Sequence, residues 1–186
     1  MSLIPGVIAS GISGHLFSSN YYSIATQTVT GSSVAAVTFS SIPSTYTHLQ
    51  LRWVGRTTRG ITSDGLFVQL NGDTSYYYSH GLSGNGSTIS AYADNTNPNT
   101  IGLTTASSAT SGMFGAGVTD ILDYTNTNKY KTLRNFSGFD ENGSGVIRLS
   151  SSANIGTSAA INSIYIYTNG VGNIDVGSQF ALYGIK

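Results

Sequence analysis

From His48 to Arg56 the chain reads His-Leu-Gln-Leu-Arg-Trp-Val-Gly-Arg, with an apolar side chain at every second position through Trp53. A period of two belongs to a strand with one wet face and one buried face. Leu49, Leu51 and Trp53 therefore share one face, and His48, Gln50 and Arg52 the other. Trp53 is the only tryptophan, and a side chain of that size at the end of an apolar face marks the centre of a core. Upstream, Ile42 is pushed towards an extended conformation by Pro43, and Pro43-Ser44-Thr45 supplies turn chemistry. Residues 39–56 thus read as a short strand that stops, turns and restarts, and the rest of the chain is expected to pack around them.

Alternation recurs elsewhere. Tyr22, Ile24, Thr26 and Thr28 alternate with Ser23, Ala25, Gln27 and Val29, Gly31-Ser32-Ser33 breaks the run, and residues 34–39 resume it, which is the pattern of a hairpin. A strand over 65–70 stops at Asn71-Gly72, the strongest short turn signal in the chain. Residues 80–117 are dominated by Gly, Ser, Thr, Asn and Ala, and a stretch that long without clear elements is functional, mobile or wrapped over something. Strands return at 118–124, at 130–136 after Asn126-Thr127-Asn128, at 146–149 after Asp140-Glu141-Asn142-Gly143, and at 161–167 and 179–185. No window keeps a helical period. Short strands with turn signals at this spacing predict an all-β fold, a single antiparallel β-sandwich of jelly-roll-like form over residues 21–186.

Composition narrows the function classes. A chain of 186 residues fits one domain that buries roughly 70% of its unfolded surface, so no covalent staple is needed. Cysteine is absent, which removes disulfides, thiolate metal sites and a cysteine nucleophile. Eight basic residues balance eight acidic ones, and no basic stripe is available to displace counterions from a nucleic acid. Charged residues make up 9% of the chain, against about 25% in an ordinary soluble domain. Such a polar, weakly repulsive surface associates readily and suits a subunit of a larger assembly.

Residues 1–20 differ from the rest. Apolar side chains are broken by Pro5, Gly6, Gly11 and Gly14, with no Lys or Arg ahead of them and no run near the 20 or so residues of a membrane span. The segment reads either as an extra strand or loop on the domain's own sandwich or as an arm that docks on a neighbour. In the second reading Leu3, Ile4, Val7, Ile8, Ile12, Leu16 and Phe17 are the anchors, because apolar residues without a helical or strict two-residue period are what an extended docking arm shows.

Catalytic patterns are missing. His15, His48 and His80 are isolated, and neither a Gly-x-Ser-x-Gly elbow nor a phosphate-binding loop occurs. Most carboxylates stand beside Gly or Asn, where an aspartate serves a turn, with Asp120 and Asp123 expected inside a strand instead. The stretch from Asp140 to Gly145 matches the opening of a calcium loop, but position twelve is Ser151 rather than the closing glutamate, so a hairpin turn is the reading. Tyr76, Tyr77 and Tyr78, near Asn71, Asp73 and His80, offer a surface for a subunit contact or for a sugar. No enzyme activity, metal or cofactor is expected.

Four stretches carry a resemblance. Phe39-Ser-Ser-Ile-Pro-Ser-Thr-Tyr-Thr-His-Leu-Gln, Phe67-Val-Gln-Leu-Asn-Gly-Asp73, Asp123-Tyr-Thr-Asn-Thr-Asn-Lys-Tyr-Lys-Thr132 and Phe180-Ala-Leu-Tyr-Gly-Ile-Lys186 together resemble small virion structural proteins of tailed bacteriophages. The resemblance spans residues 21–186 and implies a non-enzymatic β-sandwich on the outer surface of a virion, assembled as a homotrimer. The function it implies is capsid cement or decoration, in which the arm and sandwich bind the major capsid protein or other virion proteins and stabilise subunit joints. The alternative is a tail-associated or receptor-binding module whose region 76–117 reaches a host-surface glycan. Neither role calls for nucleic acid or a membrane.

Overall fold

The computed structural model describes residues 20–74, 77–94, 99–141, 143–168 and 170–186, and every regular element among them is a strand. In chain order these are β1 (Tyr21–Thr28), β2 (Ala36–Phe39), β3 (His48–Gly55), β4 (Ser63–Leu70), β5 (Tyr77–Gly84) and β6 (Ile89–Asp94). They continue as β7 (Asn99–Thr105), β8 (Gly115–Leu122), β9 (Lys131–Glu141), β10 (Ser144–Asn154), β11 (Ile164–Tyr167) and β12 (Gln179–Ile185). Eight strands form one antiparallel sheet in the order β1-β12-β3-β8-β9-β10-β5-β6, and four form the other in the order β2-β11-β4-β7. The two sheets pack as the expected sandwich.

The alternation in β3 decides which face goes in. Leu49, Leu51 and Trp53 are buried, and they meet Ile121, Leu133, Phe180 and Leu182 from their own sheet and Leu66, Leu70, Ile101, Ile164 and Ile166 from the other. Each aliphatic side chain buried there stabilises the fold by about 1.5–3 kcal/mol. On the opposite face of β3, Arg52 points outward and lies over the rings of Tyr21 and Tyr183, at 5.4 and 5.1 Å from their centroids.

Two of the scarce cations serve the interior. Arg56 is buried at the end of β3, and its guanidinium donates to the carbonyl oxygens of Met113 at 2.7 Å, Ala109 at 2.9 Å and Thr110 at 3.0 Å, which ties down the loop between β7 and β8. Lys131 is buried at the start of β9, where its ammonium donates to the carbonyls of Asn126 and of Ser158, the latter at 3.0 Å. Water is replaced in both cases by backbone oxygens fixed by the fold.

Several sequence expectations change. The runs at 21–28 and 34–39 are not a hairpin: β1 pairs with β12 in the large sheet, and β2 pairs with β11 in the small one. Local alternation fixes faces but not partners, and these partners come from the far end of the sequence. Much of 80–117 is strand: most of β5, all of β6 and β7 and the start of β8 fall within it. Their small and polar side chains hid strands whose ladders do the holding. Asn71 and Gly72 do form a tight turn, with φ of 54° and 75°, and the turn carries the chain from β4 in one sheet towards β5 in the other. Asp123 lies one residue beyond β8, with φ of 47°, and so belongs to a turn.

Candidate functional site

Among the described residues, exposed apolar surface collects on the outer face of the large sheet. On β9 the side chains of Leu133, Asn135 and Ser137 turn inward, which sends Arg134 and Phe136 out. Register then aligns Phe136 with Val118 of β8 on one side and Leu149 of β10 on the other, and Leu149 with Leu82 of β5. The result is an apolar row crossing four adjacent strands. Phe136, Leu149 and Leu82 are each about half exposed, at 53%, 51% and 52%.

A polar row runs beside it. Gln50, Asp120, Arg134, Ser151 and His80 stand opposite one another across β3, β8, β9, β10 and β5. Asp120 accepts from the Gln50 amide at 2.8 Å and from the Arg134 guanidinium at 3.4 Å, and Gln50 in turn accepts from Arg52 at 2.7 Å. The Arg134 guanidinium is largely exposed, so its pairing with Asp120 contributes little to stability and serves orientation rather than strength. Together the rows line a groove of about 520 Å³.

On the other side of the apolar row the side chains become small. Ala116, Gly138 and Gly84 stand in register with the larger Ile147, and this lowered floor forms a second groove of about 570 Å³ that shares Val118 and Phe136 with the first. A contact surface of this kind loses water from its apolar row on binding, while the polar row fixes the register of the partner.

The residues singled out from sequence fall elsewhere. Leu3, Ile4, Val7, Ile8, Ile12, Leu16 and Phe17 lie outside the described residues, as does Tyr76. Tyr77 is a core residue and takes no part in an outer surface: its hydroxyl accepts from the Leu70 amide at 2.9 Å, and burial pushes its pKa up to about 12. Tyr78, on the opposite face of β5, is exposed and pairs with Ala153. His48 accepts the Asp123 amide on Nδ1 at 3.0 Å, and the same nitrogen lies 3.6 Å from the Asp123 carboxylate. A hydrogen bond from Lys129 holds that carboxylate below the usual range. The 140–145 stretch is the β9–β10 hairpin, with the Gly143 amide donating to Asp140 at 2.9 Å. Among the described residues no three His, Asp or Glu side chains come together.

Sequence reasoning missed the apolar row because Ile147 and Leu149 carry the same alternation as a buried face. Arg148 between them is the signal that was available. It points to the inner side, where its guanidinium stacks on Tyr92 at 4.1 Å and donates to the phenol oxygen at 2.6 Å. No family model, curated protein or solved structure matches the chain.

Proposed function

We propose that the protein is a structural subunit of a tailed-phage virion, a cement or decoration protein that binds the outer shell and bridges its subunit joints. The observation that carries this reading is the apolar row of Val118, Phe136, Leu149 and Leu82, which no other described residue covers on the outer face of the eight-stranded sheet. A row of that kind supports stable contact with another protein surface. Its mechanism is mechanical: the sheet face covers a joint, the arm of residues 1–20 lies along a neighbouring groove, and trimeric assembly multiplies weak contacts. A stable joint of this type buries roughly 1,200–2,000 Å² in total. The low charge of the chain, 9% of its residues, supports the reading because a permanently covered face needs little repulsion.

Co-sedimentation with virions or capsids stripped of the protein tests it. Full-length protein is expected to pellet with the particles, and a form lacking residues 1–17 and a folded Phe136→Ser/Leu149→Ser double variant are each expected to bind more weakly. Binding by both at the full-length level, or no binding by any form, overturns the proposal.

A further inference from the structure

The outer face of the small sheet is built differently. Its strands β2, β11, β4 and β7 contain a single charged residue, Asp64, whose side chain is buried, so the outward positions carry none. Asp64 is fully engaged below the surface, accepting from Thr57 at 3.0 Å, Arg59 at 3.1 Å and the Gly65 amide at 2.9 Å.

Four outward side chains form a square at the middle of this face. Tyr165 and Tyr167 follow one another along β11, and register sets Gln69 of β4 beside Tyr165 and Phe67 of β4 beside Tyr167. Ring centroids are 5.4 Å apart between the two tyrosines and 5.8 Å apart between Tyr167 and Phe67, with planes tilted by 34° and 39°. The tilts follow the twist of the strands that carry them. Gln69 stands at the fourth corner, diagonally opposite Tyr167, and sets its amide beside the rings.

Gly65 makes room for one corner of the square. A Cβ at that position would come within 2.8 Å of Phe67 Cζ, so only glycine lets the Phe67 ring lie down along β4 instead of standing out from it. Thr38 and Thr100 extend the two rows with hydroxyls, next to Tyr165 and Phe67 respectively.

We infer that this face is a binding platform for a neutral carbohydrate chain. Aromatic faces are electron-rich and attract the polarised C–H groups on the apolar side of a sugar ring, while phenol, amide and hydroxyl groups at the margin match its hydroxyls. The absence of charge on the face fits a neutral polyol and disfavours phosphate-bearing or acidic polymers. The platform lies on the opposite side of the sandwich from the apolar row of the large sheet, so it stays open when that row is covered. The inference does not rest on the assembly reading.

Native electrophoresis of the full chain in gels containing soluble neutral polysaccharides (a glucan, a mannan, a galactan and a xylan, each in its own gel) tests it. Retardation is expected in at least one. Tyr165→Ser is expected to weaken it at least about tenfold, the loss typical of truncating an aromatic anchor. Tyr165→Trp is expected to retain it, and Phe136→Ser on the far face to leave it unchanged. Tyr165 is partly exposed, so its variants test the surface without emptying the core. No retardation in any gel overturns the inference, as does retardation that Tyr165→Ser leaves intact or that Phe136→Ser removes. Self-association that Tyr165→Ser abolishes, without polysaccharide binding, makes the face a protein interface and also overturns it.

Discussion

The six-membered edge of the Trp53 indole lies against Gly117, where a Cβ would overlap Cζ2, and the same atom would be only 2.7 Å from a Cβ placed on Gly102. Gly117 belongs to β8 of the large sheet and Gly102 to β7 of the small one, so the only tryptophan is clasped between a glycine from each layer. Gly117→Ala is expected to cost about 1–3 kcal/mol through overpacking. At about 2–4 °C per kcal/mol for a chain of this size, calorimetry would register a clear fall in Tm. An unchanged Tm would mean that the indole is free to move aside.

Arg56→Met keeps the aliphatic stem but leaves the carbonyls of Thr110, Ala109 and Met113 without their guanidinium donor. A loss of about 1.5–3 kcal/mol is expected, the range for hydrogen bonds to a charged group. Amide hydrogen exchange should rise in the 106–114 loop ahead of the strands.

Lys131→Met tests the second internal cation. The carbonyls of Asn126 and Ser158 would lose their donor, and about 1–3 kcal/mol of stability should go with it. Urea unfolding is the measurement, with a lower midpoint and an unchanged slope expected.

Stability is expected to fall in alkali. The pKa of Tyr77 is raised from 10.0 to about 12 by burial, so the fold favours the protonated phenol. Between those two values the unfolded chain has released the proton and the folded chain has not, so stability is complete below the first and is lost as pH climbs towards the second. Burial shifts Tyr124 and Tyr167 in the same direction. Urea midpoints measured across this window should drop, and Tyr77→Phe should flatten part of the drop.

Phe136→Ser is expected to leave stability within about 0.5 kcal/mol of the parent, because the ring is half exposed and faces away from the core. Binding of an apolar reporter dye and self-association at high concentration should both decrease. A large fall in Tm would show the ring to be structural instead.

The strands themselves were legible wherever side chains of contrasting size alternated. Leu49, Leu51 and Trp53 announced their face, and the turns at Asn71-Gly72 and at 140–143 were plain from residue chemistry alone. What stayed hidden were relationships set by distant partners. Nothing near Tyr22 says that it pairs with Gly184, and nothing in Gly-Leu-Ser-Gly at 81–84 says that a neighbouring strand holds it in a sheet. The candidate surfaces were illegible for a related reason: Leu149 facing out and Ile166 facing in look alike along the chain, and only the second layer decides which is covered. The Tyr76 to Tyr78 run stands out by being contiguous, whereas Phe67 joins Tyr165 and Tyr167 only through the β4–β11 register.

The place of β12 carries a consequence for biosynthesis. It inserts between β1 and β3, so the last of these twelve strands to leave the ribosome fills the slot next to the first, at the second place in the sheet. Until residues 179–185 emerge, β1 lacks its only neighbour among the described residues, and β3 presents a bare edge flanked by Leu49, Leu51 and Trp53. The sandwich therefore cannot be completed before residues 179–185 have emerged. Its closure is a late, long-range event, and a polypeptide interrupted before that point exposes the strand edges from which aggregation starts.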